Sequence, residues 1–149
     1  GHMQTADGEW SPVPLGPLAD NPMALGPAGT VHADHPSLTR YLAAQLDIAQ
    51  GQEEPYTHPA FGALHTPPEG EAYTGGWFLL PSDEMNSNLE GRGFWHNGSN
   101  GMWLSNLYLL PEMDLAFICT SNAFERKRLP SHCESLLEQA IHALSDEEN

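Results

Sequence analysis

The sequence predicts an α+β domain: an antiparallel sheet of three to four strands flanked by one helix on its N-terminal side and a second helix at the C-terminus. Three observations predict it. Apolar residues recur at helical spacing over residues 37–49 and again over 133–144. Between these stretches, from Tyr73 onward, the pattern changes to short apolar runs. Turn-forming clusters separate the runs, with "PEMD" at 111–114 the clearest. A chain of 149 residues, 40% of them hydrophobic and four of them Trp, is large enough for one domain with a core.

Taken in order, residues 1–30 are a Pro- and Gly-rich lead-in, "SPVPLGPLADNPMALGPAG" being typical. Proline lacks the N–H and fixes φ, so an extended, turn-rich course is expected there. Gly1, His2 and Met3 read as a cloning remnant, with Met3 equally readable as a native start, and His2 is left out of the chemistry. The domain proper spans 31–145. Its first helix is capped by Asp34, carries Pro36 in the first turn and stops at Gly51. Leu38, Tyr41, Leu42, Leu46 and Ala49 form its stripe. Residues 51–72, with Pro55, Pro59, Pro67 and Pro68, read as a long surface loop. "YTGGWFLL" is a strand, "SDEMNSNLEGRG" a polar connection, and 102–110 with 114–121 a β-hairpin. "LAFICTS" is continuously apolar, as in a central strand. The last helix is expected to begin at a capping box made by Ser131 and Glu134. The acidic tail 146–149 is expected to fray.

Charge narrows the partners. Twenty Asp+Glu stand against five Lys+Arg, net −15. Such a chain is repelled by phosphate backbones, so nucleic acid is not an expected partner, and a solvated, soluble surface is the plain reading. No run of about 18 apolar residues occurs, so no membrane span is expected. No signal peptide is visible, which leaves the compartment open. Cys119 and Cys133 make neither a disulfide framework nor a zinc site by their spacing, and Cys119 reads as a small buried side chain. His32 and His35 are three residues apart, but only a helix would bring them to one face, and the helix is expected to start after them. No metal or cofactor is expected.

Residues 94–106, "FWHNGSNGMWLSN", concentrate the functional residue types. His96 at a strand end can donate to a carboxylate or oxyanion. Gly98 lets a ligand approach the backbone closely. Ser99 is the candidate nucleophile, although "NGSNG" fails the G-x-S-x-G pattern and small polar residues between strands are ordinarily turn chemistry. Trp95, Asn100, Gly101 and Trp103 are the remaining candidates for a cleft wall.

These segments resemble the C-terminal part of the serine β-lactamase-related hydrolases, a family that includes class C β-lactamases, penicillin-binding DD-peptidases and allied esterases. "GPAGTVHADHPSLTRYLAAQL" is similar to the family's P-A-G-G-L-x-S-T-A-x-D-L-A-R-F-L segment, and "YTGGWFLL" to its Y-G-L-G-W strand. "WHNGSNGMWLSNLYLLPEMDLAFICTSNA" is similar to its H-x-G-x-x-G segment and the hairpin after it. The resemblance implies a partial β-lactamase-like fold. It assigns His96, Asn97 and Gly98 to the motif that edges the active site, helps bind the substrate carboxylate and supports the oxyanion hole. The family's S-x-x-K is absent: the single lysine is Lys127, and Phe124 lies three residues before it. Its Y-x-N or S-x-N is absent too.

Three functions follow as expectations. The first is a truncated hydrolase segment that carries the cleft edge without a nucleophile and is inactive alone, because acyl transfer needs nucleophile and base together. The second is a binding module using the half-cleft around His96. The third is a weak hydrolase using Ser99 and His96. The expected partners are the absent N-terminal half of the hydrolase, or a second copy docked on exposed apolar faces carrying Trp77, Trp103 and Leu107 or Leu38, Tyr41 and Leu42.

Overall fold

The computed structural model describes residues 1–17, 19–52, 55, 58–80, 93–125 and 129–147. In chain order the elements are β1 (His2–Gln4), β2 (Trp10–Pro12), a 3-10 turn at Met23–Leu25, α1 (Gly26–Gly29), α2 (His35–Ala49) and α3 (Pro59–Ala63). There follow β3 (Tyr73–Thr74), β4 (Trp77–Leu80), β5 (Gly93–Gly98), β6 (Leu104–Leu110), a 3-10 turn at Pro111–Met113, β7 (Leu115–Ser121) and α4 (Leu129–Glu147). The α+β class is as expected. The principal sheet has five strands, not three to four, in the order β3-β4-β5-β6-β7, all antiparallel.

The extra strand comes from "YTGGWFLL". It is a hairpin rather than one strand: Thr74 pairs with Trp77 across Gly75 and Gly76, whose φ values are 54° and 94°. A two-residue turn with both central residues at positive φ matches the right-handed twist of the flanking strands, and glycine enters that region freely. Gly75 is constrained a second way, because a Cβ there would collide with the backbone of Leu64.

Side-chain alternation along the strands builds a core on each face of the sheet. Trp95, Tyr108, Leu110 and Leu80 pack with Leu137 of α4 on one face. Trp77, Phe94 and Leu109 pack with Leu42 and Leu46 of α2 on the other. Helix α2 forms where the sequence places it: the Asp34 carboxylate accepts from the Ser37 N–H at 2.8 Å, and Gly51 follows the helix at φ 78°. Of the stripe, Leu42 and Leu46 are buried, whereas Tyr41 is 46% exposed. The apolar faces expected to await a second copy are therefore partly closed within the chain: Leu42 and Trp77 are 2% and 3% exposed and meet each other's cluster. Trp103 stays 48% exposed.

Four further expectations change. "LAFICTS" forms β7, which is the last strand in the order rather than a central one; it is apolar on both faces because α2 and α4 cover it from opposite sides. The lead-in holds regular structure rather than only an extended, turn-rich course, since β1 and β2 pair from His2↔Pro12 to Gln4↔Trp10 and residues 23–29 form a 3-10 turn and α1. Residues 59–63, placed in a loop, form α3, with the His58 ring nitrogen accepting from the Ala60 N–H at 3.1 Å. Helix α4 starts at Leu129, so Ser131 lies inside its first turn and not at its cap, and the helix runs to Glu147, into the tail expected to fray. The connection 81–92 lies outside the described residues.

Cys119 and Cys133 are joined in a disulfide, which their spacing in the sequence does not predict. Cys119 is on the face of β7 that α4 covers, and Cys133 is one α4 turn from Leu137, so burying the helix stripe brings the two sulfurs together. A link closing a loop of this length, with the two residues 14 apart in sequence, is worth about 3 kcal/mol. The Cys119→Ala/Cys133→Ala double variant should lose about that much unfolding free energy in urea titrations. An unchanged midpoint would show that Leu137 and Ile141 alone seat α4.

Candidate cleft edge at the end of strand β5

His96, Asn97 and Gly98 form the last three residues of β5. On one side they pair with β6, as His96↔Leu107, Asn97↔Asn106 and Gly98↔Ser105. On the other side the pairing with β4 runs only from Gly93 to Trp95. Strand β4 begins at Trp77, which turns back into Thr74, so β5 outruns its neighbour. The edge of Asn97 and Gly98 that faces this side has no ladder partner among the described residues. Both are exposed, while His96 is half-buried.

Gly98 is informative because the fold does not need a glycine there. Its φ is outside the positive region, and a Cβ would meet nothing within 4 Å. What the missing side chain leaves is open space against the backbone.

Aromatic rings flank the edge. The His96 imidazole stacks on Phe78 with centroids 5.8 Å apart and stands 6.4 Å from Tyr73. Tyr73 and Phe78 are themselves 4.7 Å apart, and Phe78 stacks on Trp95 at 5.2 Å. Burial among these rings lowers the His96 pKa, against a smaller opposing effect from a backbone hydrogen bond at Asn97. The ring is therefore neutral at pH 7, with one nitrogen to donate and one to accept. Trp95 does not face a ligand: at 5% exposure it belongs to the core under α4 and supports the edge from beneath. Its cross-strand partner Tyr108 lies in the same cluster, where burial, with the Glu134 carboxylate adding to it, pushes the phenol up to about 12.

Ser99 is held in turn chemistry. Its hydroxyl donates to the Trp103 carbonyl at 2.5 Å and accepts from the Gly101 N–H at 2.9 Å. The Asn100 side-chain oxygen accepts from the N–H groups of Met102 and Trp103 at 3.1 and 3.2 Å, and Gly101 sits at φ 84°. No hydrogen bond joins Ser99 to His96 among the described residues. An activated serine needs a base within reach, and among the described residues no base is hydrogen-bonded to Ser99.

The other histidines separate. His32 pairs with Asp20 at 2.8 Å, His35 meets the Thr120 hydroxyl at 2.8 Å, and His58 caps α3. His65, within the stretch 51–72 expected to be a surface loop, packs edge-on to Phe94 at 4.9 Å and against Trp77 at 5.9 Å. Both its ring nitrogens are buried with no hydrogen-bond partner among the described residues. No group of three or more His, Cys, Asp and Glu gathers among them either. No helix of the described residues is long and apolar enough to cross a membrane.

No protein-family model matches this chain, and neither a curated protein nor a solved structure matches it.

Burial lowers the pKa of both His65 and His96 in the fold. The unfolded chain then binds more protons than the folded one once the pH falls below the ordinary histidine value of about 6.5. Stability should be flat above that pH and decline below it, down to the folded-state values. Urea midpoints measured between about pH 7.5 and 5 check this, and His65→Phe should flatten the decline. A midpoint that rises on acidification would mean that His65 finds a carboxylate when protonated.

Proposed function

We propose that this chain supplies the substrate-binding edge of a serine β-lactamase-related fold and does not itself form an acyl-enzyme. The observation that carries the reading is the side of Asn97 and Gly98 that has no ladder partner among the described residues, an exposed strand edge that outruns β4 next to a neutral imidazole. Such an edge binds an extended amide or acyl group through backbone hydrogen bonds, with adjoining side chains selecting what lies beside it. Tyr73, 45% exposed, and Phe78 offer an apolar aromatic surface for that neighbour, and His96 adds one donor. Order along the chain supports the same reading. The helix, the Y-T-G-G-W hairpin, the H-N-G strand and the following hairpin occur in the family's sequence, and β4, β5, β6 and β7 are neighbours in one sheet.

Chemistry is limited by what the sequence holds. Acylation needs a hydroxyl beside a base. Ser99 is committed to its turn, and the S-x-x-K and Y-x-N motifs are absent from these residues. The nucleophile and base would have to come from residues outside this sequence. The Cys119–Cys133 disulfide favours an oxidising, exported setting, where such bonds persist.

Benzylpenicillin added to the protein should leave its mass unchanged while shifting the amide resonances of Asn97 and Gly98 in a saturable way. Gly98→Val fills space that nothing else occupies and so should fold normally, yet weaken that binding about tenfold. A stoichiometric adduct on any serine would defeat the non-catalytic half of the reading. Unmoved amides at Asn97 and Gly98 would defeat the binding half.

A further inference from the structure

The turn that follows the cleft edge is not bare. Asp20, from the lead-in, places its carboxylate on it. One carboxylate oxygen accepts from the Asn100 side-chain amide at 3.2 Å and from the Asn21 N–H at 2.8 Å. The other meets the His32 Nε2 at 2.8 Å. Three donors thus converge on one carboxylate from two parts of the chain 80 residues apart. They hold the Asp20 carboxyl below the usual carboxylate range, the Asn21 N–H contributing most. Asn100 is the connecting piece, since its side-chain oxygen organises the Met102 and Trp103 amides.

The lead-in also reaches the turn elsewhere. The His2 N–H donates to the Met102 carbonyl at 3.3 Å, and the His2 ring bonds the Asn122 carbonyl at 3.0 Å. Val13 returns to Gly1 through an N–H to carbonyl bond of 2.9 Å. These contacts lie against Met102 and the end of β7, so two separate stretches before α2 lean on the 99–103 turn.

We propose that residues 19–32 are a strap whose Asp20 carboxylate fills a carboxylate position shared between the strap and the 99–103 turn, made by the Asn21 N–H, the His32 ring and the Asn100 amide, so that a free carboxylate can bind there only by displacing the Asp20 side chain. Asp20 acts as a tethered occupant: the donors it uses, the Asn100 side-chain amide from the turn and the Asn21 N–H and His32 ring from the strap, are those that would receive a ligand carboxylate once the Asp20 side chain swings away. Displacement is sterically open, because the Asp20 and His32 side chains are 37% and 76% exposed. The position adjoins the edge at Asn97 and Gly98, and its meaning for ligand binding rests on the function proposed above.

Asp20→Ala tests the latch, with acetate as the probe. Losing the carboxylate frees the Asn100 amide, so hydrogen exchange at the Met102 and Trp103 amides should speed up about fivefold, as for one lost hydrogen bond. Acetate at tens of millimolar should restore slow exchange in the variant and move the Asn100 side-chain and His32 ring resonances saturably. The same acetate should leave the wild-type protein unchanged, its position being filled. His32→Gln, which keeps a donor, should weaken acetate rescue without abolishing it. Unchanged exchange in Asp20→Ala, or a variant indifferent to acetate, would overturn the strap. These readouts sit at Asn100, Met102 and His32 and need no ligand at Asn97 and Gly98, so they can fail or succeed separately from penicillin binding.

Discussion

Strand β6 is buried from both sides, and the other elements are placed by that constraint. Tyr108 and Leu109 are consecutive, point to opposite faces and are 1% and 0% exposed. Two adjacent residues can both be dry only if each face of the sheet carries a cover. Leu137 of α4 supplies one cover and Leu42 and Leu46 of α2 the other. Because β6 also pairs with a strand on each edge, its backbone groups are satisfied on both sides while its side chains are enclosed. Strand β5 inherits the same two-sided setting over Phe94 and Trp95, then leaves it at Asn97.

That exit positions the candidate site. The core-forming part of β5 is flanked by β4, and the polar part runs past it. A strand held at one end by two neighbouring strands and two covered faces, and at the other by β6 alone, presents its open edge with little conformational uncertainty. Preorganisation of this kind reduces the ordering cost of binding. The aromatic group of Tyr73, Phe78 and His96 belongs to the same arrangement, because the Gly75–Gly76 turn folds Tyr73 back beside Phe78.

Much of this was legible in the residues. The Asp34 cap and the Leu42 and Leu46 spacing announce α2, since local hydrogen bonding and periodicity are properties of contiguous sequence. The β6–β7 hairpin and the His96-Asn97-Gly98 strand end are visible for the same reason. The β3–β4 hairpin has a local signal too, two adjacent glycines between apolar runs, although the stretch also reads as a single strand. The remaining features depend on residues distant in sequence. Nothing local to Cys119 or Cys133 tells that β7 and α4 lie together. His65 looks like a loop residue until Phe94 and Trp77 are brought against it, and Asp20 looks like a turn former until Asn100 arrives.

The bond between Cys119 and Cys133 also changes what a broken chain would be. Residues 119–133 form a closed covalent ring, and Arg126, Lys127 and Arg128, three of the five cations, fall within it. A peptide bond cut anywhere in that ring leaves two polypeptides still joined through sulfur. Helix α4 would stay attached to β7 after such a nick, and the cover over Trp95 and Tyr108 would not be lost by dilution. Under oxidising conditions the cut protein keeps the connectivity of the intact one; under reducing conditions the same cut sets the helix free.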